Sequence, residues 1–239
     1  MERDAGTKVT VDALRALSPS RGVSRRVQPV PELGCVYVKN AKAGTSTVML
    51  WLHRALTGDD GFDPHNIHLD NALPSVREVG WPRVIRMLNG EAYRFSFVRD
   101  PIRRVESAYL DKVVPRDRPD RWRSEIRRAL GLPDVREAPV TFDQFVAGLQ
   151  AMDPLDMDAH WRPQHLNLMH PLIHFDHIGR LETFAADMAI IGEAIGLPDV
   201  DVRTRNVRAA APESLFAGRP DLLRSVQSLY ARDFELYGY

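Results

Sequence analysis

The stretch LGCVYVKNAKAGTSTVMLWLHRAL, Leu33 to Leu56, decides how this chain is read. It opens on Cys35-Val36-Tyr37-Val38, a short run of the β-branched and aromatic types that favour a strand. A small polar loop follows, Asn40-Ala41-Lys42-Ala43-Gly44, and then three hydroxyl residues, Thr45-Ser46-Thr47. Val48, Trp51, Leu52, Ala55 and Leu56 then recur at the spacing of one helix face. A strand, a tight loop and a hydroxyl-rich helix start make an anion site. The first N–H groups of a helix have no partner inside it, and the helix dipole favours negative charge there. Gly44 lets backbone approach a ligand closely, and Lys42 adds a mobile cation. The expected ligand group is phosphate-like.

The nucleoside triphosphate loop does not account for this pattern. That loop has a Lys directly after its second glycine, whereas Lys42 precedes Gly44 by two places. Composition narrows the classes further. The chain has 239 residues, enough for one large domain with a sizeable core, and its formal charge is zero. No global field therefore favours nucleic acid or a membrane surface. The local balance is different: from Arg83 to Arg128 there are thirteen Lys and Arg against seven Asp and Glu, an excess suited to an anionic ligand. The single cysteine, Cys35, excludes an internal disulfide framework. No apolar run has the length of a membrane span, and MERDAGTKV lacks the apolar core of a signal peptide. The chain reads as compact, bacterial-like and cytoplasmic.

A second signal lies at YRFSFVRDPIRRVESAY, Tyr93 to Tyr109. Phe95 and Phe97 alternate with polar neighbours into Val98, a strand; Asp100 is a good N-cap and Pro101 a good first helical residue. A helix is predicted from there to about Val113, with Ile102, Val105, Tyr109 and Val113 on its apolar side. Arg99 then stands at the strand end, and Ser107 lies two turns into the helix on the face of Arg103 and Arg104. Arg99 and Ser107 are placed to grip one phosphate, through a guanidinium fork and a hydroxyl.

Together the two stretches resemble the sulfotransferase superfamily, which uses 3′-phosphoadenosine 5′-phosphosulfate (PAPS). Lys42-Ala43-Gly44-Thr45-Ser46-Thr47 is similar to its 5′-phosphosulfate loop; Arg99-Asp100-Pro101, Arg104 and Ser107-Ala108-Tyr109 are similar to its 3′-phosphate signature. The resemblance is strongest to the carbohydrate branch that includes chondroitin and HNK-1 enzymes. Later segments follow the same order: His160-Trp161-Arg162-Pro163-Gln164, then a strand around Ile173, Phe175 and Ile178, then Gly179 to Leu181-Glu182-Thr183 and a helix over 183–195. A last helix is expected over 220–237. The resemblance spans residues 33–239, with residues 1–32 read as a peripheral extension holding one short helix near 11–17. Paired cysteines of secreted relatives are missing.

The resemblance implies an α/β fold, with one P-loop-like parallel sheet flanked by helices and ligand at the C-terminal strand edge. It implies sulfuryl transfer from PAPS to a hydroxyl on a glycan or a small metabolite. Lys42 would stabilise the leaving phosphate, and Lys42, Ala43, Gly44, Thr45, Ser46 and Thr47 would hold the 5′ end. Arg99 and Ser107 would hold the 3′-phosphate, and Arg205 and Arg208, in a basic loop, would close over the nucleotide. Ile67-His68-Leu69 with Leu73-Pro74 is similar to the base-bearing segment of cytosolic sulfotransferases, which makes His68 the candidate base and His65 the second. His160 and Gln164 read as packing or acceptor-side residues. The irregular spacing of His160, His165, His170 and His174 offers no metal set, and Lys and Arg supply the positive charge. Two readings from other classes stay open: a magnesium-dependent phosphotransferase using the same loop, and a non-catalytic nucleotide or polyanion binder.

Overall fold

The computed structural model describes residues 8–17, 22–115, 117–133, 135, 138–197 and 213–239. In chain order the elements are α1 (Val11–Ala16), β1 (Val27–Val30), β2 (Cys35–Val38), α2 (Thr45–Thr57), α3 (Val76–Val79), α4 (Trp81–Arg86) and β3 (Tyr93–Val98). They continue with α5 (Pro101–Ala108), α6 (Arg121–Ala129), α7 (Phe142–Ala151), α8 (Gln164–Asn167), β4 (His177–Arg180), α9 (Phe184–Ala194), α10 (Pro220–Leu229) and α11 (Ala231–Tyr237). The residues fall into two compact units, one of 1–98 with 164–207 and the other of 99–163 with 208–239.

The first unit holds a four-stranded sheet in the order β1-β2-β3-β4. β2, β3 and β4 run parallel, in line with the expected α/β class, while β1 is antiparallel to β2. That edge strand lies inside the stretch read as a peripheral extension. Its Pro29 lacks an N–H, which hid the strand from propensity but suits an edge, where one side needs no donor. β2 and β3 are buried on both faces, so their apolar runs are nearly continuous. Cys35, Tyr37, Phe95 and Phe97 pack with Val48, Leu52, Phe184, Met188 and Ile191 from α2 and α9 into one core. Burial pushes the Cys35 thiol up to about 12.

β4 begins later than expected. Pairing with β3 starts at Phe95↔His177, and just upstream the Asp176 carboxylate takes the Arg94 guanidinium at 2.8 Å through two nitrogens. Ile173 and Phe175 therefore precede the strand. Gly179 lies opposite Phe97, and a Cβ there would meet the Phe97 ring at 2.5 Å. Ile67-His68-Leu69 forms a turn.

The second unit is helical. Val105, Ala108, Ile126, Phe145, Leu149, Trp161, Val226 and Tyr230 are among its buried core. Thr141 and Gln144 form a reciprocal cap that starts α7. α5 starts at Pro101 with Asp100 capping Arg103 N–H, but closes at Ala108 and widens into a single π turn over 109–113. That turn seats the Tyr109 ring beside Phe142 and Phe145, with its hydroxyl donating to Val140 O at 3.0 Å. The expected last helix is broken at Tyr230, which is fully buried and donates its hydroxyl to Trp161 O.

Candidate functional site

The loop after β2 is shaped by two residues in the left-handed region. Lys42 has φ +70° and Gly44 φ +81°. For Lys42 this is a costly conformation, of the kind found where loops are held for function. At Gly44 a side chain is excluded twice, since a Cβ would also lie 2.8 Å from the Phe184 ring and 3.2 Å from Leu181. Gly44 is the N-cap of α2 and offers no side-chain acceptor to the first turn. The sequence places its expected anion site at this helix start.

The three hydroxyls diverge. Thr45 Oγ1 donates to Asn40 O at 2.6 Å and accepts from Tyr37 Oη at 3.2 Å, so it closes the loop on itself. Burial raises the Tyr37 pKa, against the pull of the Thr45 hydroxyl and the Asn40 backbone, so Tyr37 keeps its proton to donate. Thr47 is buried and its N–H bonds Gly44 O, which commits it to the helix. Ala43 is fully buried. Ser46 alone turns outward, and its Oγ lies 3.0 Å from His68 Nε2. His68 therefore sits on the loop. His65 lies three residues upstream and is exposed.

A buried amide cluster underlies the loop, and Asn40, not singled out in the sequence, is its centre. Asn40 is fully buried; its Nδ2 donates to Phe97 O and to Gln164 Oε1, each at 2.9 Å, and its Oδ1 accepts from Asn167 Nδ2 at 3.2 Å. Gln164 thus belongs to the packing half of its reading: fully buried, it holds the loop. The only sequence signal was an Asn two places after an apolar strand. Next to it, burial lowers the Lys39 pKa to about 8.

In the second unit Arg99 follows directly on β3, and Ser107 is half-buried on α5. The two arginines that share a helix face with Ser107 point different ways. Arg104 turns inward, fully buried, and donates to Ala159 O at 2.8 Å and Arg162 O at 2.9 Å, while Arg103 is exposed and pairs with Glu106 at 3.0 Å. Arg104 therefore fixes the 159–162 segment. His160 there is half-buried, with Nδ1 2.5 Å from Asp158 Oδ1 and its ring edge-on to Trp122. Arg205 and Arg208 lie outside the described residues. No cluster of metal-ligating side chains occurs among the described residues.

A sequence model of the sulfotransferase family matches residues 36–239. The chain belongs to the sulfotransferase family. Among its relatives are carbohydrate sulfotransferase 14 of Mus musculus, 33% identical over 169 residues covering 66% of this chain and 45% of the relative, and its Homo sapiens counterpart, 32% identical with the same coverage. Carbohydrate sulfotransferase 10 of Gallus gallus is 28% identical over 258 residues, 95% of this chain and 71% of the relative. These relatives bear out the resemblance to the carbohydrate branch. The match to the first two spans slightly less than half their length. No solved structure matches the chain. Within the family match fall the Lys42–Thr47 loop, Arg99, Ser107 and His68.

Proposed function

We propose that this chain transfers a sulfuryl group from PAPS to a hydroxyl of a glycan or a small hydroxylated metabolite. One observation carries the reading: the 3.0 Å contact of His68 Nε2 with Ser46 Oγ, which brings an imidazole onto an anion-binding helix start. The residues present suit the donor. A helix start without a side-chain cap, next to a left-handed Lys42, offers N–H groups and an ammonium to a 5′-phosphosulfate. Arg99 and Ser107 offer a guanidinium and a hydroxyl to a 3′-phosphate.

When bound, the donor supplies an activated sulfuryl group whose bond to the 5′-phosphate breaks as the acceptor oxygen bonds to sulfur. His68 takes the proton that the acceptor hydroxyl gives up. Lys42 neutralises the charge left on the bridging phosphate oxygen, and Gly44 and Ser46 hold that phosphate in line. Thr45, Thr47 and Asn40 keep the loop shaped for this. Names of the relatives support a carbohydrate acceptor. A cytoplasmic setting is part of the proposal, supported by a fold that uses no internal disulfide around its one buried cysteine; no helix among the described residues is long and apolar enough to cross a membrane.

The test is transfer of radiolabelled sulfate from PAPS to a panel of glycans and hydroxylated small molecules. Sulfate appearing on an acceptor without added magnesium is the expected result. Magnesium-dependent phosphate transfer from a nucleoside triphosphate would replace the proposal with a kinase. Tight binding of 3′-phosphoadenosine 5′-phosphate with no turnover on any acceptor would make the chain a binder.

A further inference from the structure

His68 lies on a segment, 58–74, whose grip on α2 is organised by a residue outside both phosphate signatures, Lys42–Thr47 and Arg99–Tyr109. His53 lies seven places after Ser46 on α2, two helical turns on and so on nearly the same face. It is 5% exposed. Its Nδ1 accepts the Ala72 N–H at 2.9 Å, and its ring stacks on Phe62 at 3.8 Å between centroids. The neighbouring Arg54 donates to Phe62 O through Nε at 3.1 Å and Nη2 at 2.8 Å. The segment is thus tied to α2 near its beginning by Phe62, in its middle by His68 on Ser46, and near its end by Ala72. Asn71 Nδ2 donates to Ile67 O at 2.7 Å, which links the Ala72 anchor to the turn carrying His68.

We propose that His53 is a positioning residue for the reaction, holding the 58–74 segment on α2 so that His68 stays at the phosphosulfate loop. The inference rests on the reading of His68 as the base. A backbone N–H only donates, so the bond from Ala72 fixes His53 with Nδ1 bare and its one proton on Nε2. The hold therefore requires the neutral ring, and protonation at Nδ1 would set donor against donor. The charged groups acting on His53 are Asp59 and Asp70 from the segment and Arg54 from its own helix. Burial outweighs the two carboxylates and keeps the imidazole below its ordinary value. With the folded value depressed, the hold is complete above the ordinary histidine range and is lost as pH falls through the folded value.

The experiment measures amide exchange at Ala72 by nuclear magnetic resonance between about pH 5 and pH 8, the range in which histidine changes charge, corrected for intrinsic exchange. Turnover is measured in parallel on wild type, His53→Phe and His53→Asn. His53→Phe keeps a ring on Phe62 and removes the acceptor; His53→Asn keeps an acceptor and removes the titration. The expected result is a wild-type protection that falls toward acid pH and a His53→Asn protection that does not. In His53→Phe, protection at neutral pH drops roughly threefold to tenfold, as for one net hydrogen bond, and kcat falls while KM for PAPS holds. Wild-type protection of Ala72 in His53→Phe, or an acid-side fall that persists in His53→Asn, would overturn the hold. Lost protection with unchanged kcat would overturn the positioning role. The two failures separate, because a normal kcat in His68→Ala defeats the base reading whatever Ala72 does.

Discussion

Replacing Asn40 with Ala should damage both the fold and the proposed nucleotide site, by an amount set by its surroundings. The change deletes three side-chain hydrogen bonds in a fully buried place: to Phe97 O, to Gln164 Oε1 and from Asn167 Nδ2. A typical hydrogen bond contributes about 1 kcal/mol net, but a buried partner left unsatisfied costs about 1–3 kcal/mol. The space freed by deleting one amide group is too small for three waters, so the sum comes to roughly 3–5 kcal/mol after partial relaxation. For a chain of this size, each kcal/mol moves Tm by about 2–4 °C, so the melt should drop by roughly 6–20 °C. Because Asn40 O also accepts the Thr45 hydroxyl, the loop should loosen and calorimetric binding of 3′-phosphoadenosine 5′-phosphate should weaken. Asn40→Asp should do worse than its near-identical shape suggests, since a carboxylate would face Phe97 O and Gln164 Oε1 as acceptor against acceptor. A melt within about 2 °C of wild type, less than the shift for one kcal/mol, together with unchanged binding would refute the account of the amide cluster.

Three further outcomes can be checked directly. Gly44→Ala should lose roughly 1–2 kcal/mol to the left-handed backbone and more to the Phe184 ring at 2.8 Å, with donor binding falling further than melting temperature. His68→Ala should lower turnover about 10²–10⁴-fold, the range for a general base, and leave nucleotide binding unchanged; if His65→Ala abolishes turnover and His68→Ala does not, the base lies three residues upstream. Asp120 is pulled upward by burial, but hydrogen bonds from Arg123, Arg127 and Ser124 hold it down at about 2. Its contribution is therefore present above the ordinary carboxylate range and is lost as pH falls toward that value. Asp120→Asn should cost roughly 2–4 kcal/mol at neutral pH, since it strips the carboxylate from two buried guanidiniums while Asp120 itself keeps some solvent. The wild-type and Asp120→Asn melting curves should converge in acid; a gap constant with pH would remove the ion pairs from the explanation.

Elements with local causes were legible in the sequence. The strand Cys35–Val38, the turn at Gly44 and the helix after it each follow from a few neighbouring residues: a β-branched run, a glycine and an apolar stripe. Asp100-Pro101 likewise started α5, and Thr141 with Gln144 started α7. The helix start on which the proposed anion site rests was readable for the same reason, because a helix start carries its own unpaired N–H groups wherever it occurs. Other features have partners too far away in the chain for a window of sequence to show. Asn40 meets Gln164 and Asn167 across 124 and 127 positions, and only packing selects an amide as the partner of an amide. His68 was a plausible base by its neighbours, but its seat on Ser46 depends on how residues 58–74 fold back onto α2, where His53 and Arg54 meet them. Arg104 showed its helix but not its direction, because a long side chain on α5 reaches solvent or the 159–162 carbonyls with equal ease until those carbonyls are brought beside it. Propensity acts within a turn or a strand, so the sequence determined the elements and the chemistry of their ends. Burial and hydrogen-bond satisfaction act across the chain, so only the tertiary structure decided which of those ends are held and by what.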